Sequence, residues 1–208
     1  SGTASLTFSN LTVLRQSLDL NPNKLLRAAA PTVFQMKLIA AYLSEDIDGG
    51  GNNTGTTSLV YLNPDCEDDI QHCDISAGTA EDGAPMSKIV TSYFDFAAGS
   101  TTVNTNLNAQ ARDIEAASYK YARLEFCKYN SGSANNIKWA DGTTIATGSP
   151  KEFKRNSCSV NSAVFSPAVT VSSGGSVTIT LSYDLGSSVT TGGGCTGDDS
   201  DGSGGSQV

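Results

Sequence analysis

Val177-Thr178-Ile179-Thr180-Leu181-Ser182-Tyr183-Asp184-Leu185 decides the fold. Apolar residues hold every odd position and polar residues every even one, so a strand here buries one face and wets the other. Working back along the chain, Tyr119 to Tyr129 alternates aromatics with Lys120, Arg123 and Glu125. Lys88 to Phe96 sets Ile89 and Tyr93 against Val90, Phe94 and Phe96, which suggests burial on both faces. From Val33, the residues Phe34, Met36, Leu38, Ala40 and Tyr42 face one side, opposite Gln35 and Lys37. Leu59 to Leu62 is a short apolar run. Leu6, Phe8, Leu11 and Val13 mark an N-terminal strand or strand pair whose alternation slips at Asn10.

Turn chemistry separates these runs. Asp141-Gly142, inside Ile137 to Ile145, predicts a two-residue hairpin of type I′, because that turn needs two positive-φ positions. The helix-like passage is Leu18 to Ala30, with Asn21 as cap, Pro22 at the first helical position and Pro31 as stop. A helix that short is marginal unless packed, so an extended connection stays open. Seven or more strands with so little helix predict an all-β domain. The expected architecture is a single antiparallel β-sandwich, an Ig-like or transthyretin-like Greek key, with long loops and at most one short helix. The domain covers residues 1–189, and the Gly/Ser/Asp-rich stretch 190–208 reads as a flexible tail.

Charged residues make up 16% of the chain, below the usual quarter or so, while Ser, Thr, Asn and Gly supply the polarity. That balance points to an extracellular or bacterial-envelope β protein. The net charge of −8 and the lack of a Lys/Arg stripe exclude nucleic acid as a partner. No apolar run is long enough for a membrane span. The opening Ser1-Gly2-Thr3-Ala4-Ser5 has neither a charged nor an apolar leader region, so an exported protein would be in its mature form.

Cysteines stand at 66, 73, 127, 158 and 195. Cys66–Cys73 and Cys127–Cys158 read as disulfides that leave Cys195 odd, although spacing alone permits other pairings. Loop-closure entropy assigns them roughly 2.5 and 3.5–4 kcal/mol before strain. Zinc is the rival, but one histidine and a single close cysteine pair do not complete a usual cluster.

His72 is the chain's one histidine, and no G-x-S-x-G stands near it, so its expected role is a solvated loop residue. Glu67, Asp68, Asp69, Glu115 and Glu125 are the candidates for a carboxylate-pair glycoside hydrolase. Neighbours on one loop do not straddle a bond, and alternation puts Glu125 on a solvated strand face. Asp46 and Asp48, with Asn52 after the glycines, space oxygen ligands as calcium loops do. Calcium is therefore the one cofactor suggested. Asn10 and Asn52 form N-x-[ST] sequons. Trp139, Tyr119, Tyr121 and Tyr129 are candidate binding aromatics, able to stack on sugar or anchor a protein, against the stronger expectation that they fill the core and cross-strand pairs.

Tyr119-Lys120-Tyr121-Ala122-Arg123-Leu124, followed by Val169-Thr170-Val171 and the Ser176–Leu185 run, resembles bacterial surface-lipoprotein β-sandwich domains of unknown function. The resemblance implies an envelope location and transfers no catalytic residue. The expectation is a non-catalytic binding or adhesion module for a cell-surface protein or glycan. The alternatives are a self-assembling structural subunit that donates the Leu6–Leu14 strand or engages a neighbour through Cys195, and an acidic-residue glycoside hydrolase.

Overall fold

The computed structural model describes residues 1–11, 31–129, 136–142, 145–153 and 158–185. The possible helix at Leu18–Ala30, Cys195 and the tail lie outside them. Strands dominate, and the described residues contain one α-helix, α1 (Ser100–Leu107). The all-β class with one short helix is therefore observed.

The deciding stretch forms β15 (Ser176–Tyr183), and its alternation is realised: Ile179 and Leu181 are buried while Ser176, Thr178, Thr180 and Ser182 are exposed. Beside it runs β1 (Gly2–Asn10), buried at every even position. The two are parallel across eight matched residue pairs, from Thr3 opposite Ser176 to Asn10 opposite Tyr183. The short β8 (Arg112–Ile114) pairs antiparallel with Gly2–Ala4 on the other side of β1. Gly2 suits this junction because a Cβ there would come within 2.7 Å of the Ser172 carbonyl and of Val171 Cγ1.

Two four-stranded antiparallel sheets complete the frame. One runs β13 (Ser159–Asn161), β10 (Tyr121–Glu125), β3 (Ala40–Ile47), β4 (Asn53–Leu62). The other runs β12 (Lys151–Phe153), β11 (Ile137–Ala140), β2 (Val33–Met36), β7 (Phe94–Asp95). A small pair joins β14 (Val169–Val171) to β9 (Ala117–Tyr119). Leu6 and Phe8 from β1, Leu43 and Val60 from the β3–β4 pair, and Phe34, Ile137 and Trp139 from the third sheet meet in one core.

Two strand pairs depart from the expected antiparallel arrangement. β1–β15 is parallel, as is β5 (Cys73–Asp74) with β6 (Lys88–Ile89). Alternation fixes which face a strand buries but carries no direction, so pairing sense is decided by the crossover between strands. The expected hairpin also differs. Gly142 has φ 77°, but Asn108 is the one non-glycine with positive φ among the described residues, so Asp141 does not complete a type I′ turn. β11 instead pairs with β12 further along, Trp139 standing opposite Lys151. Asp141 Oδ1 accepts the Ile145 N–H at 2.8 Å and turns the chain locally.

α1 was not legible as a helix, because Ser, Thr and Asn dominate it. Its place follows from what β1 lacks. Beyond Ala4, β1 has no strand on its β8 side, and α1 fills the gap with side chains. Asn104 Oδ1 accepts the Phe8 N–H at 2.8 Å, and Asn104 Nδ2 donates to the Phe8 carbonyl at 2.9 Å. Ser100 Oγ accepts the Asn10 N–H at 2.7 Å. A strand edge is thus satisfied without another strand.

Candidate functional site

The segment from Leu62 to Val90 carries most of the residue types that do chemistry, and it has almost no regular structure to hold them. The Cys66–Cys73 disulfide closes its first loop, and β5 and β6 contribute two residues each. Cys66, Cys73, Ile75, Val90 and Cys127 build a second, smaller core with Ile39, Ala40 and Leu62. The Cys127–Cys158 disulfide lies against it, so both expected pairings are present. The buried Asp74 joins the two parts, its carboxylate accepting the N–H groups of Ile75, Lys128 and Tyr129 at 2.8, 3.0 and 2.9 Å. Lys128 Nζ donates to the Ile70 carbonyl.

His72 sits on this frame, and it is not the solvated loop residue expected. Nδ1 lies 2.9 Å from Asp69 Oδ1, and Nε2 lies 2.9 Å from Asp82 Oδ2. Its hydrogen bonds to Asp82 and then to Asp69 raise its pKa above the usual imidazole value. Asp69 is lowered by the Ser87 hydroxyl and by His72, and Asp82 by the Ala84 N–H and by His72. Two carboxylates facing the two ring nitrogens favour a proton on each nitrogen, which is the direction of the pKa shift. Ser87 Oγ donates to Asp69 Oδ2 at 2.6 Å, not to the ring. A serine nucleophile needs a base with a free lone pair, and here both ring nitrogens face carboxylates and Ser87 faces neither nitrogen. Residues 79–87 are clipped to the disulfide loop by this contact.

Among the acidic candidates, Glu67 and Asp69 are also engaged. Glu67 accepts from Arg112 Nη1 at 3.2 Å, and Asp69 serves His72 and Ser87. Glu125 is half-buried and not on a solvated face: burial raises its carboxyl, while Lys128 and Arg123 oppose the rise. β10 lies inside its sheet, with Ser159 of β13 and Ala40 of β3 directly opposite Glu125.

The binding aromatics divide. Trp139 and Tyr119 are buried, and neither presents a surface. Trp139 shares the inward face with Ile137 and stands opposite Phe34, an orientation the alternation with Lys138 already implied. The Tyr119 hydroxyl donates to the Glu115 carbonyl at 2.7 Å and pairs with Ser58 Oγ at 2.8 Å. Tyr121 is half-buried, and Tyr129 is 43% exposed. Of the four, Tyr129 is the side chain a partner could reach most freely.

The Asp46–Asn52 loop is organised by N–H groups. Asp48 Oδ1 accepts from Gly50 N and Asn52 N at 2.8 and 2.9 Å, and the Asn52 amide donates to Asp48 Oδ2 at 3.1 Å. Asp46 Oδ1 accepts from Ile47 N at 2.9 Å. Asn52 therefore meets Asp48 with its NH2 and not beside it as a second oxygen ligand. The described residues contain no group of three or more His, Cys, Asp or Glu placed to share a metal.

One surface feature was not singled out from the sequence. Thr3, Ser5, Thr7 and Ser9 of β1 stand opposite Ser176, Thr178, Thr180 and Ser182 of β15 on the outward face. Thr3 Oγ1 donates to Ser176 Oγ at 2.9 Å, and the Thr7 and Thr180 hydroxyls lie 3.0 Å apart. Strand geometry spaces the hydroxyls about 4.8 Å across the pair and about 6.7 Å along it. These eight side chains include no charge. The signal lay in the even positions of one run and the odd positions of the other, but only the parallel register brings them together.

Comparison with protein-family models, curated proteins and solved structures finds no match. No helix among the described residues is long and apolar enough to cross a membrane. The two disulfides fit an oxidising compartment.

Proposed function

We propose that this chain is a non-catalytic binding module, secreted or displayed on a bacterial envelope. The observation that carries the reading is His72 held between Asp69 and Asp82, which commits the one neutral-range base to a structural ion pair. The disulfides support an extracellular setting, and the lipoprotein-like strand pattern supports the envelope. The contact surface best suited to binding is the β1–β15 hydroxyl face. Its neutrality, on a chain of charge −8, favours an uncharged, hydroxyl-rich glycan over a polyanion. A subunit that donates its N-terminal strand is less favoured, because β1 is already held by β15, β8 and α1. The test is retention on an array of neutral glycans, with a hydrolysis assay on every glycan retained. Binding without turnover, lost in Thr7→Arg and kept in His72→Gln, supports the reading. Turnover abolished by His72→Gln would overturn it.

A further inference from the structure

Among the described residues, β15 has one partner strand. Thr3 N–H donates to the Gly175 carbonyl and Leu11 N–H to the Tyr183 carbonyl, each at 2.8 Å, which bracket the parallel ladder. In that ladder the odd residues of β15 turn their backbone groups toward β1. The even residues, Ser176, Thr178, Thr180 and Ser182, turn theirs outward. Among the described residues nothing pairs with these outward groups, and β15 closes its sheet.

Exposed edges are ordinarily defended by charge, proline, a bulge or a cover. β15 has no charged residue and no proline between Ser176 and Tyr183, and its register with β1 runs without a shift. The opposite side of this same sheet is defended, with Asn104 and Ser100 plugging the groups of Phe8 and Asn10 that β8 does not reach. Among the described residues, one edge is therefore blocked and the other left open.

The sequence of the open edge indicates what fits it. Ser176-Val177-Thr178-Ile179-Thr180-Leu181-Ser182 reads the same in both directions by residue class, with Ile179 at the centre. We propose that β15 pairs antiparallel with β15 of a second copy about a two-fold axis at Ile179. Thr178 then lies opposite Thr180 of the second copy, and Ser176 opposite its Ser182. These are hydrogen-bonded pairs, as their outward backbone groups require. Ile179 faces its own equivalent, and Val177 faces Leu181. A shift of one residue sets hydroxyls against apolar side chains, and a shift of two keeps like against like but pairs only five of these seven residues. About eight backbone hydrogen bonds form, the three-stranded sheet becomes six-stranded, and the hydroxyl face continues across the axis. This dimer stands independently of the binding reading.

Sedimentation equilibrium of the full chain tests it, on a Cys195→Ser background so that no crosslink through that thiol is counted. The expected result is a reversible dimer whose dissociation constant rises about ten- to a hundredfold in Thr180→Pro, which deletes one outward N–H from each copy. Thr178→Lys, which adds the charge that edges normally carry, gives the same direction without touching the backbone. Mixed Thr178→Cys and Thr180→Cys chains crosslink faster with each other than either does with itself. A wild type that stays monomeric up to about 1 mM overturns the proposal. So does a dimer that survives both substitutions, or one in which the mixed cysteines show no preference.

Discussion

The β1–β15 pair and the Leu62–Val90 segment occupy the same chain and are held by opposite means. In the pair, eight consecutive residues alternate on each strand, one face drops Leu6, Phe8, Ile179 and Leu181 into the main core, and no crosslink is needed. In the segment, β5 and β6 offer two residues each, and order comes from a disulfide, a buried aspartate and a histidine between two carboxylates. Periodic burial is a collective property that tolerates substitution at any single polar site. The segment depends on a few specific atoms. Its loss should be local, and the loss of the pair should be global.

The largest expected effect tests the collective side. Ile179→Ala, at a residue 2% exposed, should lower unfolding stability by about 2–5 kcal/mol in one cooperative transition measured by denaturant titration. Removing Cys66 and Cys73 together should cost about 2.5 kcal/mol by loop-closure entropy. Hydrogen exchange should place that damage in residues 66–90 and leave the β1 amides protected. Exchange that accelerates equally in both regions would erase the distinction. Asn104→Ala should cost about 1–2 kcal/mol, because the half-buried backbone groups of Phe8 lose both partners.

The smallest effect concerns pH. His72 has a raised pKa, so its stabilising charge is fully present below the unfolded value of about 6.5 and is lost as pH climbs through the folded value. Asp69 and Asp82 are lowered, and their share is lost as pH falls below about 4. Protection of the Ala80, Gly83 and Met86 amides, all bonded within the clipped loop, should therefore peak between those limits. Protection that keeps rising above the folded His72 value would contradict the clip.

What could be read in advance follows the same division. Val177–Leu185 and Leu6–Phe8 announced their strands because a period of two survives any tertiary context that buries one face. Trp139 could be read as a binding aromatic or as core, and its alternation with Lys138, which sets it on the face of Ile137, is what decides for the core. The Asp141-Gly142 dipeptide suggested a short hairpin, but the returning strand begins at Lys151. α1 gave no helical signal, since its Ser and Asn residues serve the edge of β1 and not the helix. For His72, Asp69 was near in sequence, but Asp82 and Ser87 are brought to it only by the loop. No composition or spacing rule anticipates a contact of that kind.

The central claim is that the chain's single histidine is a structural cation and not a base. Nitrogen-15 NMR of the imidazole tests it most directly, because one histidine gives one pair of ring signals with no assignment problem. At pH 6.5 most molecules should carry protons on both ring nitrogens, because the titration midpoint should lie above that of a free imidazole. A neutral ring at that pH, with one nitrogen unprotonated, would restore a general base to the molecule and contradict the account.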